Sequence, residues 1–271
     1  STSGGDRGSS VNRWPTAWLT ALATAQAEEP KWLTEARVQE GKLGAPTAIR
    51  SEDGWFSAMV PVKVSGKITE DSGAYSMTFP LAPDEDASCI VYKSAHDDAQ
   101  YLSAVAKSVF SDVVEKSQGK IEAKAVEFSE AGAIQHNPYL AIRWIYRVND
   151  GKSARVGGYK QFITEKQGHT ISCSHISIGF VRTFREAVQA LVESIAFKDK
   201  ESPAVPFYSE LSIVRLGSTP LGYSALTLQR DADGDVKASM LFSALIQRAP
   251  GELVARDSSS VEWTHADGGL I

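Results

Sequence analysis

YLAIRWIYRVNDGKSARVGGYKQFITEKQGHTISCSHISIGFVRTFREAVQALVESIAF, residues 139–197, is the stretch whose reading decides the fold. Its first part, Tyr139 to Val148, sets Leu140, Ile142, Trp144 and Tyr146 at alternate positions, the period of a strand with one buried face. Asn149-Asp150-Gly151-Lys152 then supplies an Asp-Gly pair, a dipeptide that tolerates the positive φ of tight hairpin turns. The second strand, about Ala154 to Glu165, carries Val156, Tyr159, Phe162 and Ile163, and its Gly157-Gly158 predicts a bulge. Lys166-Gln167-Gly168-His169 returns the chain into a third strand, Thr170 to Ile178, rich in β-branched residues. Three strands on short turns make an antiparallel meander. After Gly179 the period becomes helical: Phe184, Val188, Leu191, Val192 and Ile195 share one face, Thr183 is the expected N-cap, and Glu186 completes a capping box. Such a helix must bury its stripe, and the meander is its nearest partner.

Upstream, Trp55–Val64, Ala74–Pro80 and Ser88–Tyr92 read as strands. Asp97 to about Lys116 reads as a helix with Leu102, Val105, Val109 and Val113 inward and Asp97-Asp98 at its positive end. Ile121–Ile134 is a less regular extended segment. The order predicts an α+β class, an antiparallel sheet packed by two main helices, over residues 49–198.

In this order, the opening Tyr75-Ser76-Met77-Thr78-Phe79-Pro80, the mid-chain helix, the meander and the closing Ser194-Ile195-Ala196-Phe197 resemble the photosystem extrinsic protein PsbP and its DcrB-like relatives over roughly 54–198. The resemblance implies a fold shared by mostly non-enzymatic binding, assembly or chaperone-like domains, many of them extracytoplasmic. It transfers no functional residue.

Residues 199–206, Asp199-Lys200-Glu201-Ser202-Pro203-Ala204-Val205-Pro206, have the charge and proline of a linker. Beyond it, Leu211–Leu216, Leu221–Arg230, Val236–Arg248 and Leu253–Trp263 alternate and predict a β-rich, four-stranded antiparallel sheet over 207–271. The closing Asp267-Gly268-Gly269-Leu270-Ile271 reads as a turn and the start of another apolar run, so the sequence reads as cut short. Val214-Arg215-Leu216-Gly217, Gly222-Tyr223 and Arg248 faintly resemble the β-rich segments preceding transglutaminase-like domains of large exported bacterial proteins. Residues 1–48 read as a Gly/Ser-rich tail followed by short helices. There Trp14, Trp18, Leu19 and Leu22 favour an amphipathic helix over a signal peptide, and Trp32-Leu33 a second one.

With 28 basic against 33 acidic side chains, the net charge of −5 offers no attraction to nucleic acid, and the basic residues nearest to a patch, Arg143, Arg147, Lys152, Arg155 and Lys160, read as a solvated sheet face. No run approaches the ~18 apolar residues of a membrane span. Nothing in the sequence calls for a cofactor, and no catalytic signature appears. Gly222-Tyr223-Ser224-Ala225 lacks the second glycine of a nucleophile elbow, and Ser1 lies among glycines too mobile to orient an attack. Asp231, Asp233 and Asp235 around Gly234 suggest a calcium loop but fit a hairpin turn better. His169 and His175 flank the third meander strand at even spacing and are candidate metal or ligand residues, although satisfied strand-end histidines fit as well. Cys89 and Cys173 both lie in strands, either as buried free thiols, the favoured reading, or as one cross-sheet disulfide.

Three functions are compatible with these features. One is a non-catalytic binding or assembly module, extracytoplasmic in the resemblance, that recognises another protein through a sheet face or groove. Trp144, Tyr146, Tyr159 and Phe162 are its candidate contact aromatics, core packing being their ordinary role. The others are a non-catalytic N-terminal region of a larger hydrolase or transglutaminase-like protein, and a small-ligand or metal-binding domain built on His169 and His175.

Overall fold

The computed structural model of the chain describes residues 31–95, 102–149, 151, 154–198, 206–249, 252–267 and 269. The expected tail and first helix, the start of the helix at Asp97, nearly all of the linker and the last residues of the closing turn lie outside them. Every strand pair is antiparallel. A short helix α1 (Lys31–Arg37) includes Trp32-Leu33. It leads to β1 (Thr47–Arg50) and β2 (Phe56–Val60), then to β3 (Glu70–Asp71), β4 (Ala74–Ala82) and β5 (Glu85–Ala95). Helix α2 (Leu102–Lys116) precedes β6 (Ile121–Ile134), β7 (Asn137–Asn149), β8 (Ala154–Lys166) and β9 (His169–His175). Helix α3 (Val181–Ser194) and a two-residue strand β10 (Ala196–Phe197) close this part. Strands β11 (Tyr208–Leu216), β12 (Thr219–Arg230), β13 (Val236–Ala249) and β14 (Glu252–Thr264) follow.

The strands assemble into a seven-stranded sheet of order β3-β4-β5-β9-β8-β7-β6, a small sheet β1-β2-β10 and a four-stranded sheet β11-β12-β13-β14. The meander is therefore continuous with β4 and β5, and the segment 121–134, which reads as irregular, is a full strand at the sheet's edge. Both faces of the large sheet are covered. On one, Tyr75, Phe79, Val91, Phe162 and Ile171 pack against α3 and the small sheet in a single core. The apolar stripe of α3 is buried there as its spacing predicts, with Phe184, Val188, Leu191 and Val192 all inside. On the other face, Leu140, Ile142, Trp144, Tyr159 and Ile163 form a second core with Leu102 and Ala106 of α2 and with Tyr223, Leu241 and Leu245 of the C-terminal sheet. The two helices thus sit on opposite faces, and α2 is shared with the C-terminal sheet.

A buried polar cluster holds that arrangement. The Ser103 hydroxyl donates to the Asp257 carboxylate, Ser243 Oγ donates to the same oxygen at 2.9 Å, and the Ser103 amide donates to Ser243 Oγ at 3.2 Å. Strands β13 and β14 thereby supply the acceptors that the first turn of α2 cannot supply for itself, and a carboxylate there suits the positive end of the helix.

Three local readings change. Thr183 lies inside α3, whose N-cap is Phe180 in the left-handed region (φ 61°) without a side-chain cap of its own. The cap comes from a distant segment: Glu40 accepts from the Arg182 amide at 2.9 Å and from the Thr183 amide at 2.8 Å and hydroxyl at 2.6 Å. Burial opposes ionisation of Glu40, but the Thr183 and Arg182 hydrogen bonds outweigh it and hold the carboxyl below its ordinary range. Gly157-Gly158 forms no bulge, since β7 and β8 pair without a register shift. Glycine is required for close approach instead: a Cβ on Gly158 would lie 2.6 Å from the Ser177 carbonyl oxygen, and one on Gly157 would enter the Tyr146 ring. Finally, Cys89 and Cys173 are directly opposed on β5 and β9, with Cα atoms 4.0 Å apart, and form a disulfide rather than the favoured pair of free thiols.

Candidate functional site

The aromatics read as partner contacts do not present a surface. Trp144 and Tyr159 face each other across β7 and β8 with ring centroids 5.5 Å apart, both buried beneath the C-terminal sheet and α2. Phe162 points to the opposite face, stacked on Tyr139 at 4.8 Å within the core around α3. Tyr146 is half-buried over Gly157. Trp144, Tyr159 and Phe162 are thus buried, against their expected role as contacts, on faces that the chain covers with its own elements, and Tyr146 is covered in part.

His169 and His175 do share one face of β9, as their spacing predicts, but six strand positions separate them by about 20 Å. That is far beyond the reach of one metal ion. His169 stands edge-on to Trp55 at 4.9 Å and beside Phe197 at 4.5 Å. His175 places Nε2 3.0 Å from Glu85 Oε2, between Phe180 and Phe184. Among the described residues no three His, Cys, Asp or Glu side chains are grouped to hold a metal. At the β12–β13 turn, Asp231 Oδ1 accepts the amides of Asp233 at 3.0 Å and Asp235 at 2.9 Å, the geometry of a hairpin turn.

Burial first, and the charge of Lys160 second, push the His175 imidazole down to about 3. An unfolded histidine titrates near 6.5, so its neutral burial contributes fully above that pH and is lost as pH falls from about 6.5 toward 3. We expect the wild type to lose about 2 kcal/mol more than His175→Gln between pH 6.5 and 4.5 in urea denaturation. Equal pH slopes for the two proteins would contradict the buried neutral state.

The feature that the sequence does not reveal is an apolar cleft between the two larger sheets. Val126 of β6 and Ile142 of β7 form one wall, Leu221, Leu245, Ile246 and Leu253 of β12, β13 and β14 the other, and Leu216 and Thr219 the lip. The space is about 610 Å³ including its open mouth. The β11–β12 hairpin builds the lip, with Gly217 at φ 60° turning the chain tightly enough to leave Leu216 69% exposed. Beside the cleft runs β6, an edge strand whose outer backbone groups pair with no other strand of the sheet. Among the described residues that line it, none is an acid or a base, and Thr219 supplies a hydroxyl at the lip.

No protein-family model and no curated protein matches the chain. Among solved structures, it is similar to a cyanobacterial PsbP from Synechocystis, with 15% identity and a TM-score of 0.39 over 58% of this chain and 94% of that one. A structure from Bacteroides thetaiotaomicron is similar at 12% identity and a TM-score of 0.32, covering 65% of this chain and 55% of that one. A protein of unknown function from Pseudomonas aeruginosa is similar at 15% identity and a TM-score of 0.28, covering 49% and 83%. PsbP, the family that the sequence resembles over 54–198, thus stands among the solved structures similar to this chain.

Proposed function

We propose that the chain is a non-catalytic protein-binding or assembly module that takes an extended, apolar segment of another protein into the cleft between its two larger sheets. The observation that carries this reading is the juxtaposition of the apolar walls with β6, the edge strand of the large sheet, along which β12 runs close. An added strand would satisfy that edge with main-chain hydrogen bonds while its alternate side chains enter the cleft, which is how strand addition combines affinity with specificity. Among the described residues of the lining no side chain is charged, which favours an apolar segment over a charged one. An extracytoplasmic location agrees with the Cys89–Cys173 disulfide, since such bonds persist in oxidising compartments.

Selection from a random peptide library tests the reading, with Leu216→Asp as the control. Leu216 is largely exposed, so the variant folds normally while placing a charge on the lip. Selected peptides should alternate apolar residues and bind Leu216→Asp at least about tenfold more weakly, the cost of leaving a charge against an apolar ligand. Failure to enrich any such peptide would sink the proposal. A partly open apolar cleft also suits a small apolar ligand. A small molecule seen by native mass spectrometry on the purified protein, and displaced by no peptide, would favour that second reading.

A further inference from the structure

The C-terminal sheet has a second face. Its inward side chains, among them Leu211, Ile213, Tyr223, Ala225, Leu241, Leu245 and Ala255, belong to the core over the large sheet. Alternation sends their neighbours outward, and none of those outward side chains joins either core. Leu226, Leu228 and Phe242 stand there half-buried, and Met240 is 51% exposed. An apolar sheet face of this extent, between two edge strands, marks an interaction surface.

We propose that this face packs against the same face of a second copy of the chain. The argument is self-complementarity. Pairing sets Leu226 beside Met240, Ser224 beside Phe242, Leu228 beside Ala238 and Gly222 beside Ala244. A two-fold axis lying in the interface, across the strands at the level of Leu241 and Ser259, exchanges these rows. Leu228 of one copy then falls over Gly222 of the other and Leu226 over Ser224, so that large side chains meet small ones there, while the flexible Met240 packs on the Phe242 ring. The same operation brings Glu262 over Arg256. Both are exposed on β14, neither has an ion-pair or hydrogen-bond partner among the described residues, and they lie three positions either side of Ser259. An axis parallel to the strands would instead set Glu262 against Tyr208 and Arg256 against Val214, leaving both charges unpaired. Four strands at about 4.8 Å spacing and nine residues of about 3.3 Å give roughly 600 Å² per copy, or about 1,200 Å² in the pair, which reaches the lower limit of specific interfaces.

Sedimentation velocity on the full chain from about 1 to 200 μM tests this. The wild type is expected to dimerise, Met240→Glu to weaken the dimer at least tenfold, and Arg256→Glu or Glu262→Arg singly to weaken it likewise. The double variant R256E/E262R is expected to restore it, because each new charge again faces its opposite. A wild type monomeric throughout, or a dimer indifferent to Met240→Glu, overturns the proposal; so does a dimer in which the double charge swap fails to rescue the single ones. Should Met240→Glu fail to fold by circular dichroism, the charge swaps, both at exposed positions, carry the test alone.

Discussion

Replacing Cys89 and Cys173 together with alanine lowers the stability of the folded chain by about 4 to 5 kcal/mol. The bond joins residues 84 apart in sequence, so its loss frees a long loop in the unfolded state. Loop-closure entropy grows only with the logarithm of loop length, yet a loop of this size lies near the top of the usual range. Both sulfur-bearing residues are fully buried between β5 and β9, so alanine adds a small cavity term to the entropic one. Equilibrium urea denaturation of the oxidised wild type and the double variant measures the difference. Thiol titration in denaturant, before any reductant is added, should detect no free thiol in the wild type. A loss below about 1 kcal/mol, or two titratable thiols, would show that the cross-link is absent from the folded protein.

The second large effect lies between the sheets. Trp144→Ala is expected to cost about 3 to 5 kcal/mol, the range for deleting a large buried aromatic, because Trp144 is 1% exposed and packed against Tyr159 at the centre of the core shared with the C-terminal strands. Tyr146→Ala, at a half-buried position on the same strand, is expected to cost about half as much. Paired denaturation curves separate this from the recognition role suggested by sequence: a contact residue would lose binding with little change in midpoint. Indifference of the midpoint to Trp144→Ala would mean that the two sheets do not close on it.

What was legible in the sequence is local. The meander, α3 and the four C-terminal strands are found within a few residues of their predicted bounds, since period-two and helical spacing are written in neighbouring side chains. What was not legible is which buried face meets which element. Leu140, Ile142 and Trp144 announce burial, but nothing near them names Tyr223, Leu241 and Leu245 as their cover. Capping fails as a local inference for the same reason. Thr183 and Glu186 have the right spacing, whereas the acceptor that satisfies α3 arrives from Glu40, more than 140 residues away. Cys89 and Cys173 could be paired only by knowing that β5 and β9 are neighbours. The two-residue β10 was read as the end of a helix, because Ala196-Phe197 is too short to show a period and is held by β2 alone. As for the cleft, its lining is drawn from positions between Val126 and Leu253, so no window of sequence contains it.

The cover over Trp144 and Tyr159 has a bearing on how the chain is born. A ribosome releases β7, β8 and β9 well before β14, which lies roughly 90 residues later, on the order of 5 to 20 s of synthesis at ordinary rates. Until β12 and β13 emerge, the nascent protein carries a paired sheet whose aromatic side is covered by α2 alone, the kind of surface to which holding chaperones bind. Strand β14 also brings Asp257, which fastens α2, so this half is complete only once β14 has been delivered.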